Sequence, residues 1–365
     1  MRQTLDDVLL PVGALVAALL VFGLFVWIGG ASPTDTWLLL FKGAFGDWYS
    51  WQNTLTRAAP LMLTALCVAL PARAGLVIIG GEGALVLGGL AAAAVPYAVT
   101  LPGNMFGSLV LCIAGFIAGA LWIALAGALR QYRGVNETIS SLLLAYTAIA
   151  IFKQLVEGPM RDPATLNKPS TRTIEEALRI GGIGGSEVHW GFVIGVFACI
   201  ALGLWLALTA RGFSVRVVGG NPRTAQLVGL PATGLILLAC ALGGGSAGVA
   251  GAIEVAAVHT NANASLIAGY GYAGILVSFI ARHNPIAIIP VAILFGGFGA
   301  AGSLLQRRLG LPDASVQVLQ GIAFVLILAS EALRGVDWKA VGERFRRSVM
   351  RGDKPAPLAP AGTPT

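Results

Sequence analysis

The chain has 365 residues, of which 56% are hydrophobic and only 11% are charged. Soluble domains carry about 25% charged residues, so this composition excludes an ordinary soluble protein and predicts an all-α membrane protein with several spans. The formal net charge of +7 does not indicate a nucleic-acid partner, because seven of the 24 Lys and Arg residues lie in the tail from Arg334 onward, where they fit an anionic cytoplasmic leaflet.

Ten apolar segments approach or reach the roughly 20 residues that a membrane span requires. In chain order they are Val8–Ile28, Leu55–Leu70, Leu76–Val95, Gly107–Leu129, Ile139–Val156, Gly191–Thr209, Ala232–Val258, Tyr270–Ala281, Ile286–Leu305 and Val316–Leu333. The second and eighth segments are short and are candidates for broken or re-entrant helices, and the seventh is overlong and glycine-rich. The pattern predicts a polytopic bundle of about ten transmembrane helices.

The Lys and Arg residues of short loops favour one orientation. With the N-terminus inside, most of the 24 basic residues fall on the inner side, while Arg307 and Arg308 are exceptions. We expect a multi-pass protein of a bacterial cytoplasmic membrane with both termini in the cytoplasm. Residues 1–340 form the predicted transmembrane permease domain, with an outer loop at 157–190. Residues 341–365 are predicted to be a basic and then Pro/Ala-rich cytoplasmic tail.

A candidate internal repeat links two of the apolar segments. One run begins at Pro60 and meets Glu82 after 22 residues, and another begins at Pro231 and meets Glu254 after 23 residues. Each run contains a short Ala/Leu/Cys patch. Many transporters are built from duplicated bundles that enclose the substrate site between them.

Glu82 stands between Gly81 and Gly83 inside the third apolar segment. A charged side chain at mid-membrane costs about 2.5–3.5 kcal/mol on insertion scales, so it should face a cavity or a partner. The glycines predict unwound backbone, which a membrane tolerates only where it is buried or lines a cavity. Two interpretations stay open for the carboxylate: direct contact with a substrate, or hydrogen bonding to backbone N–H groups.

Five further residues are candidates for a substrate pathway. Asn136 and Glu137 precede the fifth segment, where they also fit an N-cap and a first helical turn. Glu254 closes the seventh segment, at a position that equally suits a solvated span end. Tyr270 and Tyr272 begin the eighth segment, where they fit either an interfacial aromatic belt or a surface that stacks on a sugar or base.

Two alternative functions depend on weaker signals. The sequence Gly244-Gly245-Ser246-Ala247-Gly248 matches a G-x-S-x-G pattern and, with His259 or His283, would suit an intramembrane serine hydrolase. The strand-to-helix elbow that this pattern requires is not predicted, and small residues at a helix crossing explain it better. An ion-coupled secondary carrier is the other alternative. The chain lacks a G-x-x-x-x-G-K-[ST] phosphate loop, so we expect a transport subunit, without a cofactor or metal, whose ATP hydrolysis takes place on another protein.

The polar stretch Arg211–Pro231 lies between two apolar segments and carries three arginines and a Gly-Gly-Asn-Pro turn. A short helix is predicted over Arg223–Leu230. Such an element can dock on a protein at the cytoplasmic face. The residues predicted to take part in this docking are Gly220, Asn221, Pro222, Arg223, Thr224, Ala225, Leu227 and Leu230.

Several motifs, taken in order, resemble a known family. They are Gly-Gly-Glu-Gly at 80–83, Gly-Val-Asn-Glu-Thr-Ile-Ser at 134–140, Gly-Pro-Met-Arg-Asp-Pro at 158–163, Gly-Asn-Pro-Arg-Thr-Ala at 220–225, Gly-Tyr-Gly-Tyr-Ala-Gly-Ile-Leu-Val at 269–277 and Ala-Arg-His-Asn-Pro at 281–285. Over roughly Ala58–Ala332 the chain resembles the permease subunits of bacterial ABC importers for ribose-type sugars, nucleosides and branched-chain amino acids. The nucleoside or simple-sugar branch is the most similar.

The resemblance implies a machine of several subunits. It predicts a homo- or heterodimer of permeases, two cytoplasmic ATP-binding subunits and an extracytoplasmic substrate-binding protein. It also implies that Gly220–Leu230 is the coupling helix that meets the ATPase. Transport of nucleosides or related small polar solutes by alternating access is then the expected function, with simple sugars as the alternative.

Overall fold

The computed structural model describes residues 2–332 except positions 101, 104, 166 and 313, and the predicted tail at 341–365 lies outside the described residues. Within this part the chain is all-α. Its helices are α1 (Arg2–Ile28), α2 (Pro33–Phe45), α3 (Trp48–Arg73), α4 (Gly81–Ala98), α5 (Met105–Arg133), α6 (Glu137–Glu157), α7 (Gly191–Leu208), α8 (Ala210–Gly220), α9 (Pro222–Leu227), α10 (Ala232–Ile253), α11 (Tyr270–Ile280), α12 (Pro285–Leu309) and α13 (Ala314–Ala332).

Each of the ten predicted spans corresponds to a helix, and seven helices in the described part are long and apolar enough to cross a membrane. The helix that contains the second predicted segment is longer than the apolar run, because α3 is an uninterrupted helix of 26 residues. The eighth is short, as expected, because α11 has 11 residues. The seventh passes from α10 into a single π-helical turn at Glu254–His259.

The third predicted span differs from the structure at its start. The apolar run begins at Leu76, but α4 begins at Gly81 and the residues before it are not helical. Helix α6 satisfies this unwound backbone: the Thr138 hydroxyl donates to the carbonyl of Val77 over 3.0 Å, and the N–H of Ile79 donates to Ser141 Oγ over 3.0 Å. The unwound backbone expected around Glu82 therefore lies just before that residue.

Helix α2 was not among the predicted elements, although its start carries a local signal. The Ser32 hydroxyl accepts from the N–H of Asp35, and Pro33 occupies the first helical position, an arrangement typical of helix N-termini. With 13 residues, α2 is too short for a span of about 20 residues.

The interior of the bundle consists of α3 and α10, whose most apolar windows are 78% and 72% buried. Glycines allow this packing. Gly248 of α10 faces Gly115 of α5 so closely that a side chain at residue 248 would collide with the carbonyl oxygen of Gly115. Close backbone contact between small residues is a principal means by which helices associate in lipid.

Backbone hydrogen bonds attach the long loop at 158–190 to the rest of the protein. Its Thr171 N–H donates to the carbonyl of Ala262 over 3.0 Å, and its Ile174 N–H donates to that of Thr260 over 2.7 Å. Since Thr260 and Ala262 lie between α10 and α11, this loop covers the approach to α11.

Candidate functional site

Glu82 lies where the first turn of α4 meets the start of α11. Its side chain is fully buried. Oε1 accepts a hydrogen bond from the N–H of Gly269 over 2.8 Å, and Oε2 accepts one from the N–H of Gly271 over 2.6 Å. Both oxygens thus accept hydrogen bonds from the backbone at the start of α11. Of the two interpretations that the sequence left open, this is the one in which the carboxylate accepts hydrogen bonds from backbone N–H groups.

Two helix N-termini meet at this carboxylate. Gly271 lies so close to α4 that a Cβ atom on it would collide with the backbone nitrogen of Glu82. Gly269, which caps α11, has a φ of +81°, a conformation that favours glycine. The N-terminus of a helix carries partial positive charge, so the single Glu82 carboxylate stabilises the starts of both α4 and α11.

Several further polar side chains lie around Tyr270, the first residue of α11. The Thr64 hydroxyl of α3 donates to the Tyr270 carbonyl over 3.0 Å. Arg57, Glu82 and Glu254 are all near enough to interact electrostatically with Tyr270. Arg57 was not among the predicted site residues, because its only signal was a positive charge inside the second apolar segment.

Glu254 is also buried, and it lies in the π-helical turn that follows α10. Its Oε2 is 3.6 Å from Nε2 of His259, and the positive charge of Arg57 attracts it. Single π-helical turns inside α-helices occur frequently at functional sites. The structure thus brings Glu82, Glu254 and Tyr270 into one polar neighbourhood with Arg57.

Tyr272 points to a different side of α11. It is 38% exposed and interacts electrostatically with Tyr146 on α6. Asn136 and Glu137 lie at the start of α6: the Asn136 side chain accepts from the N–H groups of Thr138 and Ile139, and Glu137 Oε2 is 3.3 Å from Arg130 Nε. These two residues do not bond Glu82, but they fix the helix that holds the unwound segment before α4.

The polar stretch between α7 and α10 contains two helices. Asn221 ends α8 and caps α9, because its Oδ1 accepts from the N–H groups of Arg223 and Thr224 over 3.0 and 3.1 Å. The predicted helix at Arg223–Leu230 is in fact Pro222–Leu227. It ends there because the chain reaches Gly229, whose φ is +82°. Leu227 is 88% exposed and Ala225 is buried, so α9 presents an apolar tip.

Helix α8 contacts the end of α3, and Arg73 at that end connects it to the residues that follow α11. Gly219 lies so close to the carbonyl oxygen of Arg73 that a side chain at residue 219 would collide with it. The unwound segment before α4 follows Arg73 directly. The Arg73 side chain donates to the carbonyl of His283, which follows α11, over 2.9 Å. A shift of α8 therefore bears on the segments next to α4 and α11 together.

The geometry does not support the serine hydrolase alternative. The Ser246 hydroxyl donates to the carbonyl of Leu242 in its own helix over 2.9 Å. His259 lies beside Glu254, and His283 Nδ1 is 2.9 Å from the hydroxyl of Ser278. Neither histidine bonds Ser246, so this serine has no base to activate it.

Comparison with known proteins agrees with this architecture. The family of branched-chain amino acid transport system permease components matches residues 50–328. The glucose ABC transporter permease protein of Haloferax volcanii is 30% identical, with 88% of this chain and 87% of that protein aligned. The guanosine ABC transporter permease protein of Bacillus subtilis is 26% identical over 92% and 97% of the two chains.

A nucleoside ABC transporter permease protein of Lactococcus lactis is 25% identical, with 87% of this chain and 90% of that protein aligned. These similarities extend over nearly the whole length of each relative, and the matched family model includes Arg57, Glu82, Glu254 and Tyr270, the residues of the polar neighbourhood. The chain therefore belongs to the branched-chain amino acid transport system permease family and is a membrane-spanning permease of ABC transporters.

Proposed function

We propose that this permease carries nucleosides or related small polar solutes across a bacterial cytoplasmic membrane, driven by ATP hydrolysis on separate subunits. The observation that carries the proposal is the polar neighbourhood inside the apolar bundle, in which the buried Glu82 and Glu254 lie near the half-buried Tyr270 and the exposed Arg57. Ionisable groups inside a membrane bundle mark substrate pathways. The names of two relatives favour nucleosides, and that of a third makes glucose-like sugars the second candidate.

The proposed pathway runs along the junction of α4 and α11. One side of this pathway is lined by Gly81, Glu82 and Gly83. The other side is lined by Tyr270 and Tyr272. Glu254 contributes charge at the end of α10. Asn136 and Glu137 act indirectly, because α6 holds the backbone of Val77 and Ile79. In this arrangement Glu82 fixes the junction, and the neighbouring side chains contact the solute.

We place α8 and α9 at the cytoplasmic face, where they receive an ATP-binding subunit, and both termini on the same side. The arginines of this stretch agree with the distribution of positive charge in membrane proteins. The proposed docking surface consists of the α9 segment: Gly220, Asn221, Pro222, Arg223, Thr224, Ala225, Leu227 and Leu230. Motion of the ATPase would pass through Gly219 to Arg73 and the segments next to α4 and α11, an alternating-access change.

A complete transporter of this kind would hold a second permease subunit and an extracytoplasmic substrate-binding protein. The loop at 158–190 is fixed over the approach to α11 and is the proposed landing surface for that binding protein. The basic and then Pro/Ala-rich tail at 341–365 is proposed to remain in the cytoplasm with the ATPase.

Uptake measurements test the proposed transport. The permease would be placed in liposomes with its ATP-binding and substrate-binding partners, and radiolabelled guanosine, adenosine and glucose would be supplied outside. ATP-dependent accumulation of a nucleoside is the expected result. Accumulation driven by an ion gradient in liposomes without the ATPase would instead support the secondary-carrier alternative.

A substitution at the tip of α9 tests the docking surface. We expect Leu227→Ser, alone or with Arg223→Glu, to lower co-purification of the ATPase and to abolish transport, because Leu227 is apolar and 88% exposed. Met105→Ser is a matched control, since Met105 is 90% exposed but begins α5 at the opposite end of the bundle. Equal ATPase recovery from the Leu227 variant and the control would contradict this assignment.

A further inference from the structure

Three arginines lie close together where the end of α3, helix α8 and the residues after α11 meet. The Arg73 guanidinium donates from Nε to the carbonyl of His283 over 2.9 Å and from Nη2 to that of Arg282 over 3.3 Å. Both Arg282 and Arg216 of α8 are near enough to act electrostatically on Arg73. We call Arg73, Arg216 and Arg282 the arginine cluster. Like charges repel one another, so the cluster is suited to bind an anion.

The helices around the arginine cluster supply almost no negative charge. From residue 188 to residue 312 the chain contains six arginines, no lysine and one carboxylate, Glu254. That carboxylate follows the far end of α10, where it lies near Arg57. Among the described residues, no carboxylate forms an ion pair with Arg73 or Arg216. An anion that neutralises the cluster must therefore come from outside α7–α12.

The helix that leads into α8 is in contact with lipid. The most apolar window of α7 is only 28% buried. Its exposed apolar side chains recur every three or four residues, which places them on one face of the helix. They are Val193, Phe197, Ile200, Leu204 and Leu208. Because α8 begins at Ala210, its first turn lies where this apolar face ends and the lipid headgroups begin.

Helix α8 has the pattern of a helix that lies in the membrane interface. One side is buried against the bundle through Gly212, Val215 and Val218. The other side carries Phe213, which is 59% exposed, and Arg216, whose guanidinium carbon lies 5.9 Å from the centre of the Phe213 ring. In interfacial helices an aromatic ring enters the boundary of the acyl chains, and basic side chains meet anionic headgroups.

The start of α12 extends the same surface. Ile286 is exposed and lies next to Gly203 of α7, and Arg282 precedes α12 by three residues. The N-terminus of a helix adds partial positive charge. Positive charge and exposed apolar side chains thus lie side by side at this corner of the protein. A free phosphate or an acidic protein surface would use only the charge, whereas a lipid with an anionic headgroup would use both.

We propose that the arginine cluster binds the phosphate of an anionic phospholipid in the inner leaflet, with the acyl chains along the exposed apolar side chains of α7 and α12. Basic pockets between membrane helices on the cytoplasmic side hold anionic headgroups in other proteins. The proposal goes beyond the proposed transport function and rests on it only in placing α8 at the cytoplasmic face. A lipid bound here holds α8, the end of α3 and the residues before α12 together.

Lipid binding by the purified full-length permease tests this proposal. The permease in neutral detergent would be titrated with dioleoylphosphatidylglycerol or with the zwitterionic dioleoylphosphatidylcholine, and bound lipid would be counted by native mass spectrometry. We expect tighter binding of the phosphatidylglycerol. Arg216→Gln should weaken that binding about fivefold, the factor expected for one basic residue near an anionic membrane surface. Arg216→Lys should weaken it less, because it keeps the charge but not the planar fork.

Arg172→Gln is the matched control. Arg172 is also exposed, and its guanidinium carbon lies 5.4 Å from the centre of the Tyr97 ring. Tyr97 is at the opposite end of α4 from the segment next to Arg73, so phosphatidylglycerol binding should stay as in the wild type. Phe213→Ser is a second test variant, which should weaken the binding without changing any charge. Thermal unfolding of each variant verifies that the fold is retained.

Four results would overturn the proposal. They are equal binding of both lipids by the wild type, equal losses in Arg216→Gln and Arg172→Gln, wild-type binding in both Arg216→Gln and Phe213→Ser, and displacement of the lipid by equimolar inorganic phosphate. The last would assign a site for a free anion.

Co-purification of the ATPase distinguishes the remaining occupant. If Arg216→Gln lowered recovery of the ATPase and left phosphatidylglycerol binding unchanged, the arginine cluster would receive an acidic surface of that subunit instead of a lipid. Lipid binding is measured on the permease alone, without ATPase or solute. A failure of ATP-dependent uptake would therefore contradict the transport function without affecting this result.

Discussion

An ionisable side chain is buried both at the junction of α4 and α11 and just before α7. The first is fully hydrogen-bonded, and the second is not. Both carboxylate oxygens of Glu82 accept backbone hydrogen bonds. His189, just before α7, is only 4% exposed, yet neither ring nitrogen has a hydrogen-bond partner within the described residues. Equal burial therefore has opposite consequences, because a paired polar group stabilises the fold and an unpaired one costs free energy.

Removing the paired group should have the largest effect. Glu82→Ala leaves the N–H groups of Gly269 and Gly271 buried without acceptors, and each such group costs about 1–3 kcal/mol. We expect the free energy of unfolding to fall by about 4 kcal/mol. Glu82→Gln should lose about half as much, because its amide keeps one acceptor. Denaturant unfolding in detergent, followed by tryptophan fluorescence, measures both.

Glu137→Gln provides the control for this prediction. Glu137 is partly exposed and pairs with the exposed Arg130, and such pairs contribute about 0–1 kcal/mol. If Glu82→Ala unfolded like wild type but lost solute binding, the carboxylate would be a substrate ligand rather than a brace. That outcome would remove the contrast between the two buried groups.

Much of the fold was predictable from sequence because spans are set by apolar length. Each of the ten predicted segments corresponds to a helix, and the start of α11 at Tyr270 and the capping role of Asn136 are confirmed. The start of α4 was wrong because Leu76 and its apolar neighbours favour a lipid-facing helix as strongly as an unwound buried segment. Hydropathy does not distinguish these two, since what decides is whether Thr138 and Ser141 can reach the backbone.

The candidate site was less predictable than the fold. The flanking glycines of Glu82 predicted unwound backbone around it, but Gly81 and Gly83 are helical and the unwound residues lie just before them. The hydrogen-bond partners of Glu82 are 187 and 189 residues away in sequence. Arg57 was missed because one positive charge in an apolar run looks the same whether it faces lipid headgroups or a cavity. Its neighbours come from α11, α12 and α13, and only the packing of those helices brings them together.

The unpaired His189 should make the stability of the protein depend on pH in the acidic range. Burial lowers the pKa of His189 to about 4 from 6.5, so the folded protein resists protonation more than the unfolded chain does. Stability is complete above pH 6.5 and falls as the pH drops from 6.5 towards 4, because the unfolded state then binds more protons. The full shift corresponds to about 3 kcal/mol, measured as the change in unfolding free energy with pH.

His189→Phe tests this assignment, since a phenyl ring fills similar space without polar nitrogens. We expect the variant to be as stable as wild type or more so at neutral pH, and to lose part of the acid sensitivity. His283 contributes another part, because burial and the positive charge of Arg73 lower its pKa to about 4 as well. An unchanged pH profile in His189→Phe would show that this histidine is not the unpaired group.

The smallest effect should come from a polar group that is paired but exposed. The side chain of Asn136 accepts from the N–H groups of Thr138 and Ile139, as Glu82 does from two others, but it lies at the exposed start of α6. Water can replace it there, so Asn136→Ala should cost only about 1 kcal/mol. Asn136→Ser, which keeps a capping oxygen, should cost less. If Asn136→Ala lowered the free energy of unfolding as much as Glu82→Ala, burial would not determine how much a paired polar group contributes to stability. The unwound segment held by α6 would then be as critical to the fold as the carboxylate that joins α4 to α11.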